Sequence, residues 1–153
     1  MRRTARARFA VLFAGILLLT ISFSVLAGDA TTGTDPADPK LVARGKAVYA
    51  ENCASCHGAR LEGQPNWRHR LPNGRMPAPP HDPTGHTWHH SDKQLFEITK
   101  LGLGALMPGY ESDMPGFKDK LGDADIWAVL SYIESAWPAE IRERQQRMNT
   151  PKP

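Results

Sequence analysis

The sequence predicts a small all-α domain with long Pro/Gly loops. Three observations predict it: apolar residues recur at helical spacing in two separated segments, a short capped helix lies between them, and no stretch alternates as a strand does. At 153 residues the chain has room for one domain of ordinary size.

The first 27 residues are expected to stand outside that domain. "MRRTARAR" carries four arginines and no acid, and the uncharged run Phe9 to Ala27 follows, with Val25 and Ala27 placed as a small-residue cleavage pattern. This reads as an export signal. At 19 residues the run also approaches the roughly 20 that a spanning helix needs, so a retained membrane anchor is the alternative. Either reading puts the remainder outside the cytoplasm, soluble or tethered by residues 9–27. Arg2-Arg3 is ordinary n-region chemistry more than a twin-arginine signal.

The same segment accounts for the basic look of the chain. The whole sequence has a net charge of +3, but without residues 1–27 there are 15 Lys and Arg against 16 Asp and Glu, a net of −1. Nucleic-acid binding calls for a basic patch on the folded domain, and is not expected.

Residues 28–38, rich in Thr, Asp and Gly, read as a linker. Asp38 and Pro39 suit the N-cap and first position of a helix, and Leu41, Val42, Gly45, Val48, Tyr49 and Cys53 carry it from about Pro39 to Asn52. Residues 59–90 hold six prolines and three glycines and keep no periodicity. A loop of that size in a compact domain calls for a function, and wrapping a large cofactor would be one. Ser91 caps "DKQLFEITK", with Gln94 at the capping-box position and Gly102 as the stop.

"LGLGALMPGYESDMPGFKDKLG" reads as loop. Asp123 is expected to cap the strongest helix, "ADIWAVLSYIESAW", whose stripe is Ile126, Val129, Leu130, Ile133 and Trp137 and whose stop is Pro138. Gly45 is expected to let the first helix approach this one near Leu130 and Ile133. The domain thus runs from 39 to 137, and residues 138–153 read as a polar, solvated tail. Two amphipathic helices and one short one make a thin core, and something apolar and bulky is missing from it.

Both cysteines lie in "ENCASCHGAR". Cys53-x-x-Cys56-His57 is the attachment pattern of c-type haem: two thiolates add to the vinyl groups and the adjacent imidazole takes the iron. Covalent haem would supply the missing core. A redox dithiol usually opens a helix after a strand, and no strand is readable here. Structural zinc wants four ligands; His86 and His90 have a usable spacing but lie in the Pro/Gly loop.

The chain resembles the class I c-type cytochromes from about Leu41 to Trp137. Gly45-x-x-x-Tyr49 before "CASCH", and "SDMPGF" ahead of "DADIWAVLSYIESAW", look like that family's first helix, distal methionine loop and last helix. "PAPPHDPTGHTWHHSD" resembles a bacterial subgroup of single-haem cytochromes. The resemblance implies an all-α cytochrome c-like fold wrapped around one covalent haem c, an iron held by protein ligands, and a role as an electron carrier rather than an enzyme. Its location would be the bacterial periplasm.

The sixth iron ligand has several candidates: Met76, Met107, Met114, His69, His81, His86, His89 and His90. Met114 is the one the resemblance requires, because Met-Pro stands about ten residues before the terminal helix, and Met107-Pro108 repeats the local pattern. Cofactor-binding residues are therefore expected at Cys53, Cys56, His57 and Met114, with His57 and Met114 on the metal. Trp67, Arg75, His86 and Trp88 are candidate partners of the haem propionates.

His/Met ligation leaves no open coordination site, so the expected reaction is one-electron transfer between redox protein partners, respiratory complexes among them. The alternatives are a haem-based ligand sensor or peroxidase-like site with a labile distal ligand, and a structural zinc module. The membrane is a partner only if the N-terminal segment is retained.

Overall fold

The structure is a computed structural model that describes residues 32–150. The export or anchor segment 1–27 and the start of the linker lie outside the described residues. Among the described residues there is no strand, and the all-α expectation holds. None of the described helices is long and apolar enough to cross a membrane.

Helix α1, Pro39–Asn52, starts as expected: the Asp38 carboxylate accepts from the Lys40 N–H at 2.8 Å and Pro39 opens the first turn. Helix α5, Asp123–Ser135, buries Ile126, Val129, Leu130 and Ile133, and Trp137 is buried just beyond it. α1 and α5 cross at Gly45, where a Cβ would stand 1.9 Å from the Ala128 carbonyl oxygen and 2.9 Å from Tyr132 Cβ. The crossing partners are thus Ala128 and Tyr132, not Leu130 and Ile133. Those two turn their face of α5 to an internal cavity instead.

α2, Ala54–His57, follows α1 directly. After the long loop and a 3₁₀ turn at Thr87–His89 comes α3, Asp92–Leu101, with the reciprocal Ser91–Gln94 capping box in place. The following segment is not all loop: Leu103–Leu106 forms one helical turn, α4. Asp123 does not cap α5 either. Gly122, in an extended conformation, occupies the cap, and the Asp123 carboxylate accepts from Lys100 Nζ at 2.7 Å while favouring the helix dipole from the first turn.

The tail is a docked helix rather than a solvated end. α6, Ala139–Asn149, buries Gln145 to 1% exposure; its side-chain amide donates to Asp92 Oδ1 and, at 3.3 Å, to the His90 carbonyl. Asn149 Oδ1 accepts from the Asp92 N–H at 2.8 Å, and the Arg144 guanidinium lies 4.8 Å from the Trp88 ring centre. One apolar side chain of α6, Ile141, packs against the core; the other contacts named are polar, which is why no apolar stripe announces them.

The described part of the linker is pinned too. Thr34 Oγ1 donates to Asp92 Oδ2 at 3.1 Å, and the Asp35 N–H donates to Ser131 Oγ at 3.0 Å. Beside Thr34 and Asp92 sits Glu134, 4% exposed, with one carboxyl oxygen lacking any hydrogen-bond partner. Burial first, and then the Asp92 charge, push its pKa up to about 8. At neutral pH Glu134 therefore carries its proton.

The core comes in two pieces. Val48, Tyr49, Leu61, Val129, Ile133 and Trp137 form one cluster, and Leu95, Ile126 and Leu130 form the other. A cavity of about 490 Å³ takes its walls from both, which is the gap in the core that the composition implies.

Candidate functional site

The end of α1 and the whole of α2 place the three residues of the motif. The Cys53 N–H donates to the Tyr49 carbonyl at 2.9 Å, so Cys53 closes α1; α2 then carries Cys56 and His57. Tyr49 Oη donates to the Gly58 carbonyl at 2.9 Å, tying the far end of the motif back to α1. Cys53, Cys56 and His57 all line the cavity, and neither cysteine is in a disulfide.

The His57 ring is buried, with Nδ1 2.9 Å from the Pro79 carbonyl oxygen. A carbonyl only accepts, so Nδ1 carries the proton and Nε2 keeps its lone pair. Burial lowers the His57 pKa, against the opposing effect of the Pro79 bond. The imidazole is therefore neutral at neutral pH, the form that binds a metal.

The thiols argue against the two rival readings of the motif. Burial, and then the neighbouring Cys56, push the Cys53 pKa up to about 11, whereas an exchanging dithiol needs a lowered one. Among the described residues no three His, Cys, Asp or Glu side chains come together as a metal group, so a four-ligand zinc site has no donor set. A large flat group held by thioethers fits the site better. The walls are mostly apolar, with Leu95, Ile98, Val129, Leu130 and Ile133 among them. Two buried polar atoms on the cavity wall, Asn52 Oδ1 and His86 Nδ1, have no partner within the protein.

Of the eight candidates for the sixth ligand, the structure brings five to the cavity: Met76, Met114, His81, His86 and His90. Met107 is 50% exposed and lines a separate pocket, and His69 and His89 line neither. His81 stacks face to face on His57 with ring centres 4.0 Å apart. A sixth ligand would have to reach the iron from the side away from His57, so a ring lying flat on His57 would not be placed to serve as one.

Met114 sits on a braced strap. Its N–H donates to Ser112 Oγ at 3.1 Å, and just beyond it the N–H groups of Phe117 and Lys118 donate to the Thr99 and Lys100 carbonyls, each at 3.0 Å. On the other side Arg75 pairs with Asp113 and, at 3.5 Å, with Glu111, tying the strap to the long loop.

Those ion pairs answer one sequence expectation. Arg75 is engaged at the strap and does not line the cavity, and neither does Trp88, which packs against the Val48–Trp137 cluster. Trp67 and His86 do line it, stacked with ring centres 5.4 Å apart. Sequence reasoning missed Asn52, the Pro79 carbonyl and the His57–His81 stack. The Pro77–Pro80 run was the available signal, since prolines fix the backbone and leave carbonyls free to accept.

Set beside known proteins, this architecture has a family. The Cytochrome c family matches residues 42–137, and the chain belongs to it, an all-α family whose members carry covalently bound haem c. Among individual proteins it is similar to the cbb3-type cytochrome c oxidase subunit CcoP of Rhodobacter capsulatus, at 34% identity over 102 residues, which is 65% of this chain and 31% of that one. It is similar also to the cbb3-type oxidase subunits FixP of Sinorhizobium medicae, 61% identical over 100 residues, and of Rhizobium meliloti, 30% identical over 100; each match covers 65% of this chain and 29% of the relative. The chain thus spans less than a third of the length of these relatives. No solved structure matches it significantly.

Proposed function

We propose that the chain carries single electrons within a respiratory chain through one haem c bound by thioethers from Cys53 and Cys56, with His57 and Met114 as its axial ligands. The observation that supports this most is that both cysteines, the buried His57 and the strap methionine line one apolar cavity, and that His57 is already bonded through Nδ1 to Pro79. When bound, the haem supplies a one-electron iron couple. The protein does the rest. Pro79 holds the His57 proton on Nδ1 and so keeps Nε2 free, the Phe117 and Lys118 bonds hold the Met114 strap, and the aliphatic walls exclude water.

A thioether in the distal position favours ferrous iron and closes the site to substrates, which makes the chain a carrier and not an enzyme. Its proposed partners are a protein electron donor and acceptor; since similar chains are subunits of cbb3-type oxidases, a membrane respiratory complex of that kind is the proposed destination. Residues 1–27 would deliver it to the bacterial periplasm, free or tethered.

The test is a visible spectrum of the reduced protein together with acid-acetone extraction after denaturation. A six-coordinate low-spin spectrum with the haem retained on the chain is expected. Extractable haem would refute the thioethers, and rapid carbon monoxide binding would replace the carrier with the sensor or peroxidase-like reading.

A further inference from the structure

The His57–His81 stack is built from both sides. The rings lie 4.0 Å apart with planes 21° from parallel, and three hydrogen bonds fix His81 where it is. Its N–H donates to the Leu61 carbonyl at 2.8 Å, its carbonyl accepts from Trp137 Nε1 at 2.8 Å, and its Nδ1 lies 2.8 Å from the hydroxyl of buried Thr87. That hydroxyl also lies 3.4 Å from the Pro80 carbonyl, and the shorter contact ties His81 Nδ1 to Thr87 in either tautomer of the ring.

The Pro79 bond alone does not fix an imidazole. A hydrogen bond at one ring atom aligns that atom and leaves the ring free to tilt about the Nδ1–oxygen line; a second ring lying flat on the first removes the tilt. An aliphatic side chain would fill the volume without defining a plane. We propose that His81 is a positioning residue that fixes the plane of the His57 imidazole, and through that plane the electronic structure and reduction potential of the haem. The inference rests on His57 as an axial ligand.

The test uses the holoprotein, with the ferric electron paramagnetic resonance spectrum and the midpoint potential as readouts. His81→Leu is expected to keep the thioether-bound, six-coordinate haem while shifting the g-values and the potential. His81→Phe, which restores a flat ring, is expected to bring the g-values back toward those of the unmodified protein. Thr87→Val keeps the ring and removes its anchor, and is expected to broaden the signal; it decides the matter should His81→Leu fail to yield holoprotein. Unchanged g-values and potential in His81→Leu, or in Thr87→Val where only that variant folds, overturn the proposal. A high-spin spectrum in the unmodified protein would overturn the axial ligation itself, a failure distinct from this one.

Discussion

Replacing Glu134 by glutamine is expected to flatten the fall in stability that the unmodified protein shows between about pH 4.5 and pH 8. Glu134 is 4% exposed, lies beside Asp92, and has a carboxyl oxygen with no partner. Its pKa rises from 4.5 to about 8, chiefly through burial. Below 4.5 the carboxyl is protonated in both the folded and unfolded chain and contributes no pH-dependent cost. As the pH rises above 4.5 the unfolded chain loses its proton and the folded one does not, so stability falls until the folded group also ionises near 8, and then levels. At ~1.4 kcal/mol per pH unit the full span amounts to roughly 5 kcal/mol, and local relaxation that hydrates the charge reduces it to a few. Buried histidines give the opposite slope below about pH 6.5, because the unfolded chain takes up protons that the folded one refuses. The difference between the two proteins isolates Glu134. Urea midpoints of both holoproteins across this range supply it, and parallel curves would refute the reasoning.

Two further perturbations test the packing. Gly45→Ala places a methyl 1.9 Å from the Ala128 carbonyl oxygen and is expected to cost about 1–3 kcal/mol through overpacking, read as a lower thermal midpoint; an unchanged midpoint would mean that α1 and α5 do not cross there. The Cys53→Ala, Cys56→Ala double variant, purified without haem, is expected to be largely unfolded because the cavity divides its core; a cooperative thermal transition by circular dichroism would contradict that.

What could be read in the chain was whatever is local or periodic. The Asp38 and Ser91 caps, the α5 stripe and the Cys53-x-x-Cys56-His57 motif each span a few residues and obey one geometric rule. The docking of α6 was hidden because, apart from the single apolar contact of Ile141, it depends on Gln145, Asn149 and Arg144, polar side chains whose pattern is that of a solvated face. Gly122 outcompeted Asp123 for the cap because an extended glycine serves there and the carboxylate had a better partner in Lys100, on another helix. The Pro79 bond to His57 and the engagement of Arg75 at the strap join segments far apart in the chain through a loop without periodicity. No local rule reaches that far.

The ligation of the iron is the centre of the account, and the reduction potential of Met114→Ala, measured with its carbon monoxide binding, tests it most directly. Met114 and Met76 both line the cavity, so the same substitution at Met76 is the matched control. Loss of the thioether is expected to lower the potential and open the iron to carbon monoxide in Met114→Ala, with Met76→Ala behaving as the unmodified protein. An unaltered potential and a closed iron in Met114→Ala, or the open site appearing in Met76→Ala instead, would contradict it.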